Sequence, residues 1–114
     1  MTDCLFCKIV NGQIPSNTVY KDQLVTAFRD INPQAPTHIL IVPNQHIGGA
    51  AEIDPSHASV LIAMFAAARR LTESEGIAAG GYRLVINEGP NAGQTVFHLH
   101  LHLLGGRTLA WPPG

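Results

Sequence analysis

Three histidines stand at every second position near the end of the chain, at His98, His100 and His102, with leucines between them. Successive side chains of a β-strand point to opposite faces, so a strand over residues 94–104 would carry all three imidazoles on one face. They would be spaced there by about 6.6 to 6.8 Å, while the leucines pack into a core on the other face. An exposed polar face could show the same alternation, but histidine is not a strong strand former, and the pattern favours a chemical site.

The three imidazoles could themselves be the reactive groups. A neutral imidazole nitrogen is a competent nucleophile toward phosphorus or carbonyl centres, provided that its second nitrogen donates a hydrogen bond that fixes the tautomer. His100 is central, and His98 and His102 on either side could relay protons or polarise oxygens. A catalytic metal centre would normally add an acidic ligand or an acidic partner, and residues 89–114 contain no Asp or Glu. The sequence therefore predicts imidazole catalysis without a catalytic cofactor.

The segment directly before the histidines, residues 87–95, is rich in glycine and in amide and hydroxyl side chains. Glycine allows the backbone to approach an anion closely, and amide and hydroxyl groups can donate to phosphate oxygens. An ordinary turn between strands is the alternative. The position of the segment beside three imidazoles favours a phosphate cradle.

Length and composition predict one small soluble domain over residues 1–114. The net charge of -1, the charged fraction of 13% and the lack of a Lys or Arg cluster argue against a nucleic-acid partner. The longest apolar run, 60–68, is too short to span a bilayer, so no membrane association is expected. The first residues lack the basic and hydrophobic regions of a secretory signal, which favours a cytoplasmic location.

The elements that must position these groups are short strands and two helices. The pattern predicts a helix over 5–10 capped by Asp3, strands over 18–20, 24–28, 37–42, 82–87 and 94–104, and a long helix from the N-cap Asp54 to about Glu75. The middle of the long helix, 60–68, is apolar on every side, and one sheet cannot cover it. A second subunit would cover the remainder, so the sequence predicts a homodimer, with a flank of tolerable exposed alanines as the alternative.

Several blocks of the chain resemble the histidine triad (HIT) superfamily, and specifically its Hint branch of purine nucleoside phosphoramidases. The resemblance lies in the histidine run 98–104, in the segment 93–96 before it, and in the segments 105–107 and 111–114 after it. Further matching blocks are 4–9, 30–38 and 85–89. The resemblance implies an α+β fold, with a five-stranded antiparallel sheet, one long and one short helix, and a sheet extended across a two-fold dimer whose interface contains the long helix.

The resemblance also implies a mechanism and a set of site residues. His100 would attack the α-phosphorus of an adenosine or guanosine 5′-phosphoramidate, giving a nucleotidyl-histidine that water then hydrolyses. The residues that it implies around the substrate are Asp30 and Ile31 at the nucleoside, Asn87, Gly93, Gln94, Thr95 and His102 at the phosphate, and His38 in support of the triad. Thr95 stands where Hint proteins more usually have serine, so its additional methyl group could narrow the part of the substrate site that holds the leaving group.

Other functions and roles stay open at this point. Dinucleoside polyphosphate or nucleotide-sulfate hydrolysis would use the same intermediate with another leaving group, and a non-catalytic purine-nucleotide-binding module would need no nucleophile. Asp30 could simply be a turn carboxylate that accepts from nearby backbone amides. His38 could be a packed strand histidine.

Cys4 and Cys7 form a C-x-x-C pair. In a cytoplasmic protein such a pair is expected as reduced thiols or metal ligands rather than as a structural disulfide. Two thiolates need further ligands for tetrahedral zinc, and His46 and His98 are the candidates; some bacterial relatives that the chain resembles hold structural zinc in this way. If zinc binds, His98 is held by the metal and His102 carries more of the proton transfer. Two reduced, half-buried cysteines are the alternative.

Overall fold

A computed structural model describes residues 3–114 of the chain. Its central feature is one five-stranded antiparallel sheet in the order β1-β2-β3-β5-β4. The strands are β1 (Thr18–Lys21), β2 (Val25–Arg29), β3 (Thr37–Pro43), β4 (Tyr82–Val85) and β5 (Leu101–Gly105). With its two helices, this is the α+β architecture expected from the sequence.

The turn between β1 and β2 forms without a glycine. The Oδ1 atom of Asp22 accepts hydrogen bonds from the backbone N–H groups of Leu24 and Val25, at 2.8 and 2.9 Å. A side chain that satisfies two turn amides holds the hairpin closed in place of a glycine turn. The predicted hairpin is therefore present.

The short helix α1 spans Leu5–Val10 as expected, but the prediction that Asp3 caps it is wrong. Cys4 is the N-cap, and its Sγ atom accepts from the N–H of Cys7 at 3.4 Å. Cys4 directly precedes the first helical residue, which is where a side chain reaches the free amides of the first turn. The cap thus brings the two cysteines together.

The long helix α2 spans Ala58–Ser74 and follows a 3₁₀ turn over Pro55–His57. Asp54 caps that turn, with its Oδ1 atom accepting from the N–H of Ser56 at 2.8 Å. The predicted start and end of the helix are therefore nearly right, and only its first turn is tighter. Within the described residues, no helix is long and apolar enough to cross a membrane.

One face of the sheet packs against α2 and forms the main core. The buried side chains of the helix include Val60, Met64 and Leu71. The leucines of the histidine segment join this core and are at most 1% exposed, as the alternation predicted: Leu99, Leu101 and Leu103. The opposite face carries α1 and a smaller apolar cluster of Phe6, Phe28, Leu40 and Val42.

The predicted histidine strand over 94–104 is too long at its start, because β5 begins only at Leu101. Leu101 pairs with Ile41 of β3, and continued pairing would place Leu99 opposite Pro43, which has no N–H to donate. The Leu99 N–H instead donates to the Ile47 carbonyl at 2.6 Å. His98 and His100 therefore precede the strand and point in different directions. The strand β4 likewise ends at Val85, not at 87.

Candidate active site

A pocket of about 720 Å³ opens on the face of the sheet that carries α1. Its apolar walls come from α1, β2, β3 and the segment before β5: Leu5, Phe6, Phe28, Leu40 and Val96. Polar groups enter from the strand ends and from the 87–95 segment, and they include both His100 and His102. A concave, mainly apolar cavity with a few convergent polar groups is the usual form of a small-molecule site.

The structure brings most of the predicted nucleotide-binding residues to this pocket: Asp30, Ile31, Asn87, Gly93, Thr95, His100 and His102. Ile31 is fully exposed at its edge. The side chain of Gln94 does not line the pocket but is buried behind it. Its Oε1 atom accepts from the Gly89 N–H at 2.8 Å, and its Nε2 atom donates to the Gly48 carbonyl at 3.0 Å, so it braces the 87–95 segment.

The orientation of the His100 ring is set by its own backbone neighbourhood. Its Nδ1 atom lies 2.7 Å from the carbonyl oxygen of His98. Because a carbonyl oxygen only accepts, Nδ1 carries the proton, and in the neutral ring Nε2 then keeps its lone pair. The ring of Phe6 packs edge-on against it, with centroids 5.1 Å apart and an interplanar angle of 86°. His100 is therefore a buried imidazole whose orientation and Nδ1 proton are set by its neighbours.

A chain of hydrogen bonds sets the tautomer of His102. The Gln34 N–H donates to Nδ1 of His38 at 3.0 Å, so a neutral His38 carries its proton on Nε2. That Nε2 donates to Nδ1 of His102 at 2.9 Å, which leaves the proton of His102 on its own Nε2. The carboxylate of Asp30 lies 3.5 Å from the same His38 nitrogen. The outcome is an N–H of His102 available to a ligand in the pocket.

His38 and His102, the two histidines joined by these hydrogen bonds, are both neutral at neutral pH. Burial lowers the pKa of His102 from 6.5 to about 4, and the neighbouring His100 and His38 act in the same direction. Burial also lowers the pKa of His38, against the opposing effect of Asp30. Neutral rings can each donate from one nitrogen and accept at the other, as the hydrogen-bond chain requires. Although Asp30, His38 and His102 could geometrically surround a cation, both nitrogens of His38 already have protein partners.

Both alternatives left open by the sequence describe part of the geometry. Asp30 is a turn carboxylate whose Oδ1 atom accepts from the Asn32 N–H at 2.8 Å, and its other oxygen faces His38. His38 is a buried, hydrogen-bonded strand histidine that lies outside the pocket wall and contacts His102. It therefore acts on the pocket only through another residue.

The imidazole of His98 is fully buried and does not reach the pocket. Its Nε2 atom lies 2.8 Å from the Pro43 carbonyl, so this nitrogen carries the proton. Its Nδ1 atom faces the sulfur atoms of Cys4 and Cys7, at 3.3 and 3.5 Å. Burial lowers the pKa of His98, which keeps the ring neutral. Of the three alternating histidines, His100 and His102 thus lie at the pocket, whereas His98 lies at the cysteines.

Cys4, Cys7, His46 and His98 form one cluster whose potential ligand atoms all lie within 4.8 Å of one another. The Sγ atom of Cys7 is 3.3 Å from Nδ1 of His46. In tetrahedral zinc sites, with Zn–S of about 2.3 Å and Zn–N of about 2.0 to 2.1 Å, sulfur and nitrogen ligands stand about 3.6 Å apart. The cluster therefore fits a structural zinc ion with little movement, and all four of its residues are those expected from the sequence.

Sequence reasoning missed several residues of the pocket wall: Leu5, Phe6, Ser16, Asn17, Phe28 and Arg29. Leu5 and Phe6 stand between the two cysteines, but nothing in the sequence indicates that α1 covers the histidines. The role of the Gln34 backbone N–H as the donor to His38 could not have been predicted either, because every residue except proline has such a group. Ser16 and Asn17 had no distinguishing signal.

Comparison with known proteins places this chain in a family. The model of the HIT domain matches residues 11–109, so the chain belongs to the HIT domain family. It is 51% identical over 107 residues to the purine nucleoside phosphoramidase of Escherichia coli K12, covering 94% of this chain and 90% of that one. It is 50% identical to a 14 kDa zinc-binding protein of Zea mays, covering 96% and 87%.

A solved structure agrees with this assignment. The HIT family hydrolase from Legionella pneumophila superposes with a TM-score of 0.97 at 48% identity, covering 98% of this chain and all of that one. The chain is accordingly a HIT-family hydrolase. The family and the subunit fold expected from its sequence motifs, a five-stranded antiparallel sheet with one long and one short helix, are confirmed, and the extension of the sheet across a dimer stays a prediction.

Proposed function

We propose that this chain is a purine nucleoside phosphoramidase, which hydrolyses adenosine or guanosine 5′-phosphoramidates to a nucleoside monophosphate and an amine. The observation that carries the proposal is the state of His100. This residue lies at the pocket with its Nδ1 proton held by the His98 carbonyl at 2.7 Å, which leaves Nε2 as a nucleophile. The name of the 51% identical relative from Escherichia coli supports the phosphoramidate as substrate.

In the first step, Nε2 of His100 forms a bond to the α-phosphorus while the P–N bond to the amine breaks. The imidazole gains positive charge as it is nucleotidylated, and its Nδ1–H bond to a carbonyl stabilises that charge. The departing nitrogen takes a proton from solvent water as it leaves. In the second step, a water molecule attacks the phosphorus and releases a proton to the solvent, while the N–P bond breaks and its electron pair returns to Nε2, so that His100 is again neutral. Dividing one displacement into two is the usual gain of covalent catalysis.

The other pocket residues are assigned by what their chemistry suits. His102 would donate its Nε2–H to a non-bridging phosphate oxygen, with the tautomer that His38 sets. Asn87, Thr95 and the backbone at Gly93 border the same space and would bind the phosphate. Asp30 would accept from the ribose hydroxyls, beside the exposed side chain of Ile31.

The decisive experiment is mass spectrometry of protein quenched during turnover of adenosine 5′-phosphoramidate. A nucleotidyl adduct on His100 is expected, and it should be absent from His100→Ala. Parallel rates on adenosine 5′-phosphosulfate and on a diadenosine polyphosphate would identify the leaving group. Faster turnover of either would replace the phosphoramidate assignment. Nucleotide binding with no turnover of any substrate would mean a binding module.

We also infer that two copies of the chain pair through α2. Ile62 and Phe65 lie three residues apart, on the same side of this helix, with 70% and 47% of their surface exposed, so together they form an exposed apolar patch. Strand β4 lies at the edge of the sheet, where its outer side could pair with a second copy. A homodimer formed in this way would extend the sheet, and its mass can be measured by light scattering.

A further inference from the structure

His98 links the Cys4, Cys7, His46 and His98 cluster to the pocket through two different groups. Its ring points into the cluster, where Nδ1 faces the two sulfur atoms. Its backbone carbonyl points the other way and accepts the Nδ1 proton of His100 at 2.7 Å. Any displacement of His98 therefore moves the acceptor that orients the nucleophile.

Two further contacts join the same parts of the chain. Phe6 lies on α1 between the two cysteines and packs edge-on against both histidine rings, with centroid distances of 6.0 Å to His98 and 5.1 Å to His100. The Leu99 N–H donates to the Ile47 carbonyl, next to His46, at 2.6 Å. Every chain segment that supplies a cluster residue thus also touches the segment that holds His100.

We propose that His98 is a positioning residue for His100, and that its position depends on ligation of its ring by the same zinc-like divalent cation as Cys4, Cys7 and His46. Without that ligation, the Nδ1 side of His98 is held only by thiol contacts, and thiols are weak hydrogen-bond donors. With it, α1, the 46–47 segment and His98 are joined at one point. The inference rests on the proposed nucleophilic role of His100.

The chemistry of the attack predicts where the effect will be seen. The His98 carbonyl does not touch the substrate, so moving it should leave KM nearly unchanged. Its hydrogen bond strengthens when the His100 ring becomes cationic, so its loss should lower kcat. Hydrogen bonds to charged groups correspond to roughly a ten- to hundredfold effect, and this is the expected fall in kcat.

The test compares zinc-loaded protein with protein depleted by a chelator, at equal folded fraction judged by circular dichroism. We expect kcat for adenosine 5′-phosphoramidate to fall at least about tenfold on depletion, with KM within about twofold, and to recover with added zinc. Proton–nitrogen NMR of the histidine rings gives a readout that needs no turnover. The Nδ1–H signal of His100 should be sharp in the loaded protein and broadened by exchange in the depleted one.

Two variants separate positioning from simple stabilisation. Cys7→Ser should behave like depleted protein and should not respond to zinc. Met64→Ala loosens the core on the opposite face of the sheet, and at a matched loss of Tm it should keep both kcat and the NMR signal. Unchanged kcat and His100 signal in folded, depleted protein would overturn the proposal, as would an equal loss of kcat in Met64→Ala.

The remaining outcomes are also decisive. If depletion unfolds the chain, Cys7→Ser is measured at low temperature, and full kcat there refutes the positioning role. Failure of both proteins to fold would assign the cluster to stability alone and would equally overturn the inference. If the chain cleaves no phosphoramidate, the proposed function fails while the NMR comparison still tests the link between the cluster and His100.

Discussion

Acidification should weaken the fold through His102. The pKa of this residue is about 4 in the folded protein, against 6.5 for an ordinary histidine. The unfolded chain therefore binds the proton at a higher pH than the folded chain, so the contribution to the free energy of unfolding is complete above pH 6.5 and declines as the pH falls toward 4. At 1.36 kcal/mol for each pKa unit, the full loss is about 3 kcal/mol, of which about 2 kcal/mol is lost by about pH 5.

The assay is urea unfolding followed by far-UV circular dichroism, at several pH values between about 7.5 and 5. The matched variant is His102→Gln, which keeps polar atoms but cannot titrate. Burial also lowers the pKa of His38 and of His98, so both proteins lose stability in this range. The difference between them isolates His102 and should be about 2 kcal/mol at about pH 5. A chelator in every sample prevents release of a bound cation from contributing.

The reasoning is refuted if wild type and His102→Gln lose the same free energy over this interval. Such a result would mean that His102 is as hydrated in the folded chain as in the unfolded one. The acceptor role of its Nδ1 atom, and with it the neutral tautomer assigned to the pocket, would then be wrong.

Three further substitutions test other parts of the site. His38→Ala removes the donor that sets the His102 tautomer and should lower kcat by about fivefold with little change in KM, since a lost hydrogen bond is worth about 1 kcal/mol; steady-state kinetics would show it, and unchanged kcat would disprove it. Gly93→Ala places a side chain at φ 82°, where open space surrounds the new methyl group, so unfolding experiments should show a loss of about 1 to 2 kcal/mol from backbone strain alone. The matched change Gly80→Ala, also in open space but without a positive φ, should cost nothing, and equal losses would contradict the strain argument. Ile62→Glu should halve the mass in light scattering, whereas Ala78→Glu, at an exposed position outside α2, should not; a dimer unaffected by the first change would exclude α2 from the interface.

Much of the fold could be predicted because its signals are local. Alternating leucines placed Leu99, Leu101 and Leu103 in the core, and Asp54, Pro55 and the glycine after α2 marked the ends of the helical region. The errors came from long-range competition. The strand predicted over 94–104 begins only at Leu101 because its partner β3 ends in a proline, which has no N–H to donate. The residues of one strand do not show where the neighbouring strand lacks a hydrogen-bond donor.

The residues of the candidate site were predictable as a set, since histidine spacing and the glycine-rich segment are visible in the chain. The separate position and contacts of each residue were not predictable. A shared strand face implied that all three imidazoles line one site, whereas His98 turns to the cysteines and, of the three, His100 and His102 border the pocket. Gln94, expected at the phosphate, instead braces its own segment through Gly48 and Gly89.

By itself the sequence determined the family, the sheet with its two helices, and the types of side chain available for chemistry, because these depend on residue identity and short-range periodicity. The tertiary structure alone decided which nitrogen of each imidazole carries a proton, because the partners that decide it are backbone groups at Gln34, Pro43 and His98. Every residue except proline offers the same N–H and every residue the same C=O, so only the folded arrangement can show which of them a histidine meets.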